Sequence, residues 1–238
     1  MFAALTHRQL EPELMDQPQT DRAAHQAALD GLRRVNLLCS STRLLFHAIR
    51  PLAEKRTSQN PLRVLDLGSG GGDVIIRLDR RAQRAELPIR FHGFDMSDSA
   101  VSIATEAAGK ARAKQVEFFQ NDVLADGIPP GYDVVMCSLF LHHFDNDTAK
   151  VILTRMREAA AEAVFVDDLL RTKVGYTLCW VGCRVLSRSK MVHYDGPQSV
   201  RAAFTMAEAR RLFGEAGYEG ATFRRHWPER FLMEWTRS

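Results

Sequence analysis

Val64-Leu65-Asp66-Leu67-Gly68-Ser69-Gly70-Gly71-Gly72-Asp73 decides the fold of this chain. Arg63 to Leu67 is a short apolar strand, and it stops in a glycine-rich turn. A helix opens at Asp73 and carries Val74, Ile75 and Leu78 on one side. Glycines let the backbone approach a ligand closely, because no Cβ stands in the way. The helix behind the turn offers N–H groups without intrahelical partners and the positive end of its dipole. Such a stretch is built to hold a polar small molecule at the carboxyl end of a parallel strand.

The spacing narrows the choice of ligand. A dinucleotide fingerprint needs Gly-x-Gly-x-x-Gly and an acid about 20 positions on. Counted from Gly68, the third glycine falls on Asp73, and the next strand-end acid, Asp95, comes late, at 95 − 68 = 27. The pattern that fits is Asp66-x-Gly68-x-Gly70-x-Gly72. It resembles motif I of the class I S-adenosylmethionine-dependent methyltransferases.

Composition sets outer bounds. The chain has 238 residues, 45% hydrophobic, enough for one domain with a sizeable core and an appendage. Its net charge of +3, from 32 basic and 29 acidic residues, is too balanced to point to nucleic acid. Cys39, Cys137, Cys179 and Cys183 lie in apolar surroundings without a histidine ligand pattern, and read as thiols in a reducing compartment. Met1 to Leu14 lacks a signal-peptide layout, and no run approaches the roughly 18 apolar residues of a membrane span. A cytoplasmic protein is expected.

Along the chain, residues 1–20 are polar, marked by Pro12 and Pro18, and read as a surface loop. Asp21 caps a helix over 23–38, and a second helix follows Ser40-Ser41. From Leu62 strands and helices alternate. Strands are expected at 62–67, 89–95, 116–119, 132–138 and 163–166, with helices after 73, after Ser97 or Asp98, and after Asp145. A stretch over 169–204 interrupts the pattern. It reads as a basic amphipathic helix ending at Ser187-Arg188-Ser189, and then a turn at His193-Tyr194-Asp195-Gly196-Pro197. Thr205-Met206-Ala207-Glu208 is a capping box, Gly217 stops its helix, and two strands close the chain. In the last strand Phe231, Met233 and Trp235 alternate, so one buried side is expected. The βα alternation implies a mostly parallel α/β sheet with helices on both faces. Finished by an antiparallel pair, it is similar to the seven-stranded, Rossmann-like class I methyltransferase fold. The division expected is an N-terminal helical cap over 1–58 and a cofactor-binding core over 59–238, with 169–204 as a lid.

The resemblance implies roles residue by residue. Asp66, Gly68, Ser69 and Gly70 would hold the S-adenosyl-L-methionine cofactor. Asp95 would accept hydrogen bonds from two ribose hydroxyls, and Met96 would stack on the adenine. Asp122, with Asn121 as a competitor, would take the adenine amino group beside the Val123 N–H, and Ser138 closes the set at the end of 132–138.

Leu141-His142-His143-Phe144 follows that strand, where small-molecule methyltransferases of the quinone-biosynthesis kind show a similar segment. No Asn/Asp-Pro-Pro-aromatic motif of nucleic-acid or protein-amine enzymes is present. His142 and His143 are the catalytic candidates, as base, as orienting group, or as loop-stabilising residues. Asp167-Asp168 could offer a carboxylate to a metal, but Cys137-Ser138 leaves the oxygen set of a hard cation incomplete, so no metal is expected. One of the two acids would cap the next segment, and the other would face solvent or substrate.

The reading implied is methylation, at oxygen or carbon, of an apolar, phenolic or quinol-like small molecule. Residues 171–190 would meet the substrate, an anionic group or, transiently, a membrane surface. No nucleic-acid partner is expected, and a monomer or a homodimer fits equally. Readings from other classes are a cofactor-binding regulatory or assembly protein without turnover and, against the glycine spacing, a nicotinamide-dependent reductase.

Overall fold

A computed structural model describes residues 5–16 and 21–237. The first helices are α1 (Arg22–Leu37), which Asp21 caps by accepting from the Ala23 and Ala24 N–H groups, and α2 (Ser41–Ala53). Strands and helices then alternate: β1 (Leu62–Leu67), α3 (Asp73–Arg84), β2 (Ile89–Asp95), α4 (Asp98–Ala111), β3 (Val116–Gln120), β4 (Tyr132–Ser138), α5 (Asn146–Ala159) and β5 (Ala160–Leu169). The chain finishes with α6 (Lys173–Leu186), α7 (Lys190–Ala202), α8 (Met206–Glu215), β6 (Thr222–His226) and β7 (Arg230–Thr236).

The seven strands lie in the order β3-β2-β1-β4-β5-β7-β6. β1 to β5 pair in parallel, and β7 runs antiparallel to both β5 and β6. The strand order reverses beside β1, which places the ligand crevice outside the carboxyl ends of β1, β2 and β4. The register brings those ends level: Leu67 pairs with Phe94 and Cys137, and Ser138 with Asp167.

Alternate strand residues fill two cores. Val64, Phe91, Met136, Phe165 and Leu232 pack against Leu45 and Ile49 of α2 and Ile75 and Leu78 of α3. Leu65, Val135, Val166 and Met233 pack against Ile152 and Met156 of α5 and Leu212 and Phe213 of α8. The helix α2, read as part of a cap, is therefore a layer of the core.

Four further expectations change. β5 runs three residues beyond Ala163–Val166 at each end: Ala160 pairs with Tyr132 of β4, and Asp167 and Asp168 find buried partners and need not end the strand. The turn at His193–Pro197 is part of α7, where Asp195, Gly196, Pro197 and Gln198 are all buried. In β7 Phe231, Leu232 and Met233 are buried on alternating sides, since the strand lies inside the sheet with a core on each face. The N-terminal segment is no simple surface loop: within its described part, 5–16, Glu13 is buried.

Candidate active site

The turn after β1 has the shape its glycines suggest. Gly68 and Gly70 hold φ of 63° and 50°, a left-handed conformation that other residues adopt at a cost. A Cβ at Gly68 would stand 2.2 Å from Cδ2 of Phe140, so this glycine lets the loop after β4 close onto the turn. Around the turn Asp66 Oδ1, Ser69 Oγ and Asn121 Oδ1 are buried without hydrogen-bond partners. Burial, reinforced by the charges of Asp73, Asp95 and Asp167, pushes the Asp66 carboxyl well above its ordinary range. A cationic ligand group arriving there would relieve that crowding.

Asp95 is oriented by two backbone donors, Gly70 N–H to Oδ2 at 2.8 Å and Ser97 N–H to Oδ1 at 2.9 Å. Ser97 caps α4 through the Ala100 N–H. A carboxylate accepts through both oxygens, which suits the two hydroxyls of a ribose. Met96 beside it is 71% exposed and available to an adenine face. Orphaned acceptors, a backbone cradle and clustered acids fit S-adenosylmethionine, which offers ribose hydroxyls, an ammonium and a sulfonium. Asp95→Ala is expected to weaken its binding by about 1.5–3 kcal/mol, the worth of hydrogen bonds to a charged group. Unchanged affinity in isothermal calorimetry would show that Asp95 only braces the turn.

The other cofactor candidates divide. Asp122 Oδ1 accepts from the Leu124 N–H, and the Asp122 N–H goes to Asp126, so its carboxylate shapes its own loop. Asn121, with its unpartnered oxygen, is the better-placed acceptor. Val123 is buried in the core. Ser138 donates to Asp167 Oδ2 at 3.1 Å, which commits its hydroxyl to the protein interior.

The helix α1 roofs the turn. Leu29 lies over Gly70 and Gly71, His25 Nδ1 contacts Ser99 Oγ at 3.1 Å, and Arg22 pairs with Glu106 of α4. Arg230 joins roof to floor: it donates to Asn36 Oδ1 and Ser41 Oγ, and stands 3.7 Å from Asp167.

The histidine loop is the most constrained part of the site. Leu139 takes a φ of 57°, and its N–H donates to the Asp167 carbonyl, so the chain turns sharply out of β4. A single 3-10 turn, Leu141–His143, follows. His142 is 3% exposed, with Nδ1 2.7 Å from Asp168 Oδ1 and its N–H donating to Asp168 Oδ2. Nε2 faces Glu13 Oε1 at 3.8 Å, beyond a hydrogen bond. Burial alone would lower its pKa, but Asp168 and Glu13 outweigh burial and raise it to about 10. The two acids thus favour the imidazolium form of His142. His143 is half-buried and stacked on it, with ring centroids 4.3 Å apart.

Neither acid of the Asp167-Asp168 pair faces solvent or substrate. Asp167 accepts from Ser138 and stands 2.7 Å from His226 Nε2, and Asp168 binds His142. Sequence reasoning missed Glu13 and Asn36 because neither carries a local signal; both act through partners far along the chain.

Over the acceptor side lie α6 and α7. Gly175, Tyr176 and Cys183 of α6 face inward, while Val174, Val181 and Val185 face out. The valines of the segment expected to meet the substrate are therefore on the outer surface. The four cysteines are free thiols, with Cys179 and Cys183 Sγ 3.8 Å apart.

Comparison with known proteins agrees with this geometry. Residues 64–162 match a family model described as a methyltransferase domain. The chain is 35% identical over 85 residues to a demethylmenaquinone methyltransferase of Thermus thermophilus, covering 35% of this chain and 36% of that protein. It is 28% identical over 149 residues to a ubiquinone biosynthesis O-methyltransferase of Methylococcus capsulatus, covering 60% of each. The matched regions thus span about a third to three fifths of these curated relatives. Among solved structures, the fold resembles magnesium protoporphyrin IX methyltransferase from Synechocystis with bound SAH. The TM-score is 0.59 at 18% identity, over 93% of this chain and 90% of that one. The sheet order and the glycine cradle thus sit in a fold shared with solved methyltransferases, and residues 64–162 match the methyltransferase domain model.

Proposed function

We propose that the chain transfers a methyl group from S-adenosylmethionine to a hydroxyl, or an activated carbon, of an apolar phenolic or quinol-like molecule. The observation that carries this reading is the contact of Phe140 with Gly68, which joins the histidine loop to the cofactor turn. A group oriented by His142 and His143 therefore lies beside the cofactor cradle. When bound, the cofactor supplies an electrophilic methyl on a sulfonium sulfur.

The protein's contribution is alignment, exclusion of water and charge. The Gly68–Gly70 backbone, Asp66 and Asp95 hold the donor. Asp168 and Glu13 raise the His142 pKa to about 10, so His142 would serve as a fixed donor whose Nε2–H orients the acceptor oxygen. Phe140 and Phe144, with ring centroids 5.0 Å apart, give the loop an apolar wall suited to an aromatic ring. The names of the two relatives, one for demethylmenaquinone and one for ubiquinone biosynthesis, support the quinol-like class. The outer face of α6 combines Val174, Trp180, Val181 and Val185 with Lys173 and Arg184, followed by Arg188 and Lys190. That chemistry suits transient contact with an anionic lipid surface holding an apolar acceptor. No helix among the described residues is long and apolar enough to cross a membrane.

The test is turnover of labelled S-adenosylmethionine with hydroquinones, catechols and long-tailed resorcinols, alongside tRNA and protein. Methyl incorporation into the phenols and quinols is expected, faster for a long-tailed acceptor in anionic vesicles than in zwitterionic ones. Methylation of tRNA or protein amines with none on phenols overturns the reading. So does calorimetric binding of NADH without binding of S-adenosylmethionine.

A further inference from the structure

A hydroxyl that is methylated must lose its proton, and the group facing His142 Nε2, the ring atom turned away from Asp168, is Glu13 Oε1 at 3.8 Å. We infer that Glu13, carried in by the N-terminal segment, is the catalytic group that accepts that proton, with His142 as its cationic partner. The assignment rests on the methyltransferase reading above and names the group that completes its site.

The segment is held in place by buried polar side chains. Asp195 accepts from the Leu14 and Met15 N–H groups at 2.8 and 3.1 Å, Gln198 donates to the Gln9 carbonyl, and Arg171 donates to the Leu5 carbonyl. These three residues are all 4% exposed or less, so the anchors of this segment lie in the interior. Arg8 ties the segment to the histidine loop by donating to the carbonyls of His142 and Phe144. Between these anchors the Glu13 side chain turns inward, with Oε1 accepting from Ser199 Oγ.

Two features make Glu13 more than a structural acid. First, a buried carboxylate and a buried imidazolium normally close to hydrogen-bond contact to offset desolvation. Here Oε1 and Nε2 stand 3.8 Å apart. That spacing leaves both atoms within reach of one hydroxyl oxygen about 2.8 Å from each, which would donate to Glu13 and accept from His142. Secondly, Asp168 already fixes the far side of the ring, so Nε2–H is aimed toward Glu13.

The step balances simply. The acceptor oxygen forms its new bond to the methyl carbon with a lone pair, and the carbon–sulfur pair returns to sulfur. The hydroxyl proton passes to Glu13 Oε1 and then to water. Burial alone would raise the Glu13 carboxyl, but His142, His143 and Ser199 outweigh it and hold it below its ordinary value. A weak base suffices because the proton leaves late. Once the carbon–oxygen bond has begun to form, the O–H is that of an oxonium and is far more acidic than any carboxylic acid.

The test compares wild type with Glu13→Gln, Glu13→Asp and Glu13→Ala on a phenol that the wild type methylates. The Gln and Ala variants are expected to lose about 10²–10⁴-fold in kcat, with cofactor affinity within threefold and Asp retaining part of the rate. Added formate should restore Ala at least tenfold and leave Gln, whose amide fills the site, unchanged. Near-normal kcat in Gln overturns the assignment, as does an Ala defect that formate does not relieve; if Ala fails to fold, Gln and Asp decide. Glu13, His142 and His143 also bring their ligand atoms within 4.8 Å of one another. Loss of wild-type turnover in EDTA with recovery on Zn²⁺ would therefore show a cation site instead of a base. If the wild type binds cofactor yet methylates no phenol or quinol, the functional reading falls and this assignment with it. Turnover in wild type that survives in Gln rejects Glu13 alone.

Discussion

Asp168→Asn is expected to destabilise the metal-free protein by about 3–5 kcal/mol at pH 7, because it strips a buried imidazolium of its closest counter-charge. Asp168 is fully buried and makes two contacts to His142, one to the ring and one to the backbone N–H. An amide can keep the backbone contact but not the charge. The pH dependence carries the sign of the effect. The pKa of His142 is raised from 6.5 to about 10 in the folded chain. Its contribution is therefore fully present below about pH 6.5 and is lost as pH rises through about 10. The acids work oppositely: Asp168 and Glu13 are held below their ordinary values, so their contribution is lost as pH falls through the acid range. Urea unfolding in EDTA between pH 6.5 and 10 should show a steeper fall in wild type than in the variant. Parallel curves would mean that His142 is neutral in the folded protein.

Gly68→Ala should be nearly as damaging, by about 2–5 kcal/mol. About 1–2 kcal/mol comes from a side chain at left-handed φ, and about 1–3 from forcing the Phe140 ring away. Gly70→Ala is the control. It shares the positive φ, but its Cβ would meet nothing nearer than Leu29 Cδ2 at 3.8 Å. The difference between the two variants therefore isolates the Phe140 contact, and Phe140→Ala in the Gly68→Ala background should recover part of it. Equal effects of both variants on unfolding would show that the loop is not braced by the turn.

Local chemistry alone determined much of this protein. The strands at 62–67, 89–95 and 132–138, the caps at Asp21, Ser97, Asp145 and Thr205, and the glycine turn all depend on neighbours within a few residues. The spacing Asp66-x-Gly68-x-Gly70-x-Gly72 determined the cradle for the same reason, since backbone conformation and a strand-end acid are set where they stand. Tertiary structure alone decided the acceptor side. His142 was legible as a candidate, but its charge is set by Asp168 of β5 and Glu13 of the N-terminal segment. Desolvation and counter-charge are properties of a place in the fold, and the sequence around Leu141-His142-His143-Phe144 contains neither. The stretch around Pro197 reads as a turn because proline and glycine weaken a helix. It is helix because burial of Asp195 to Gln198 against the N-terminal segment outweighs that local preference, a balance that exists only once the chain has closed.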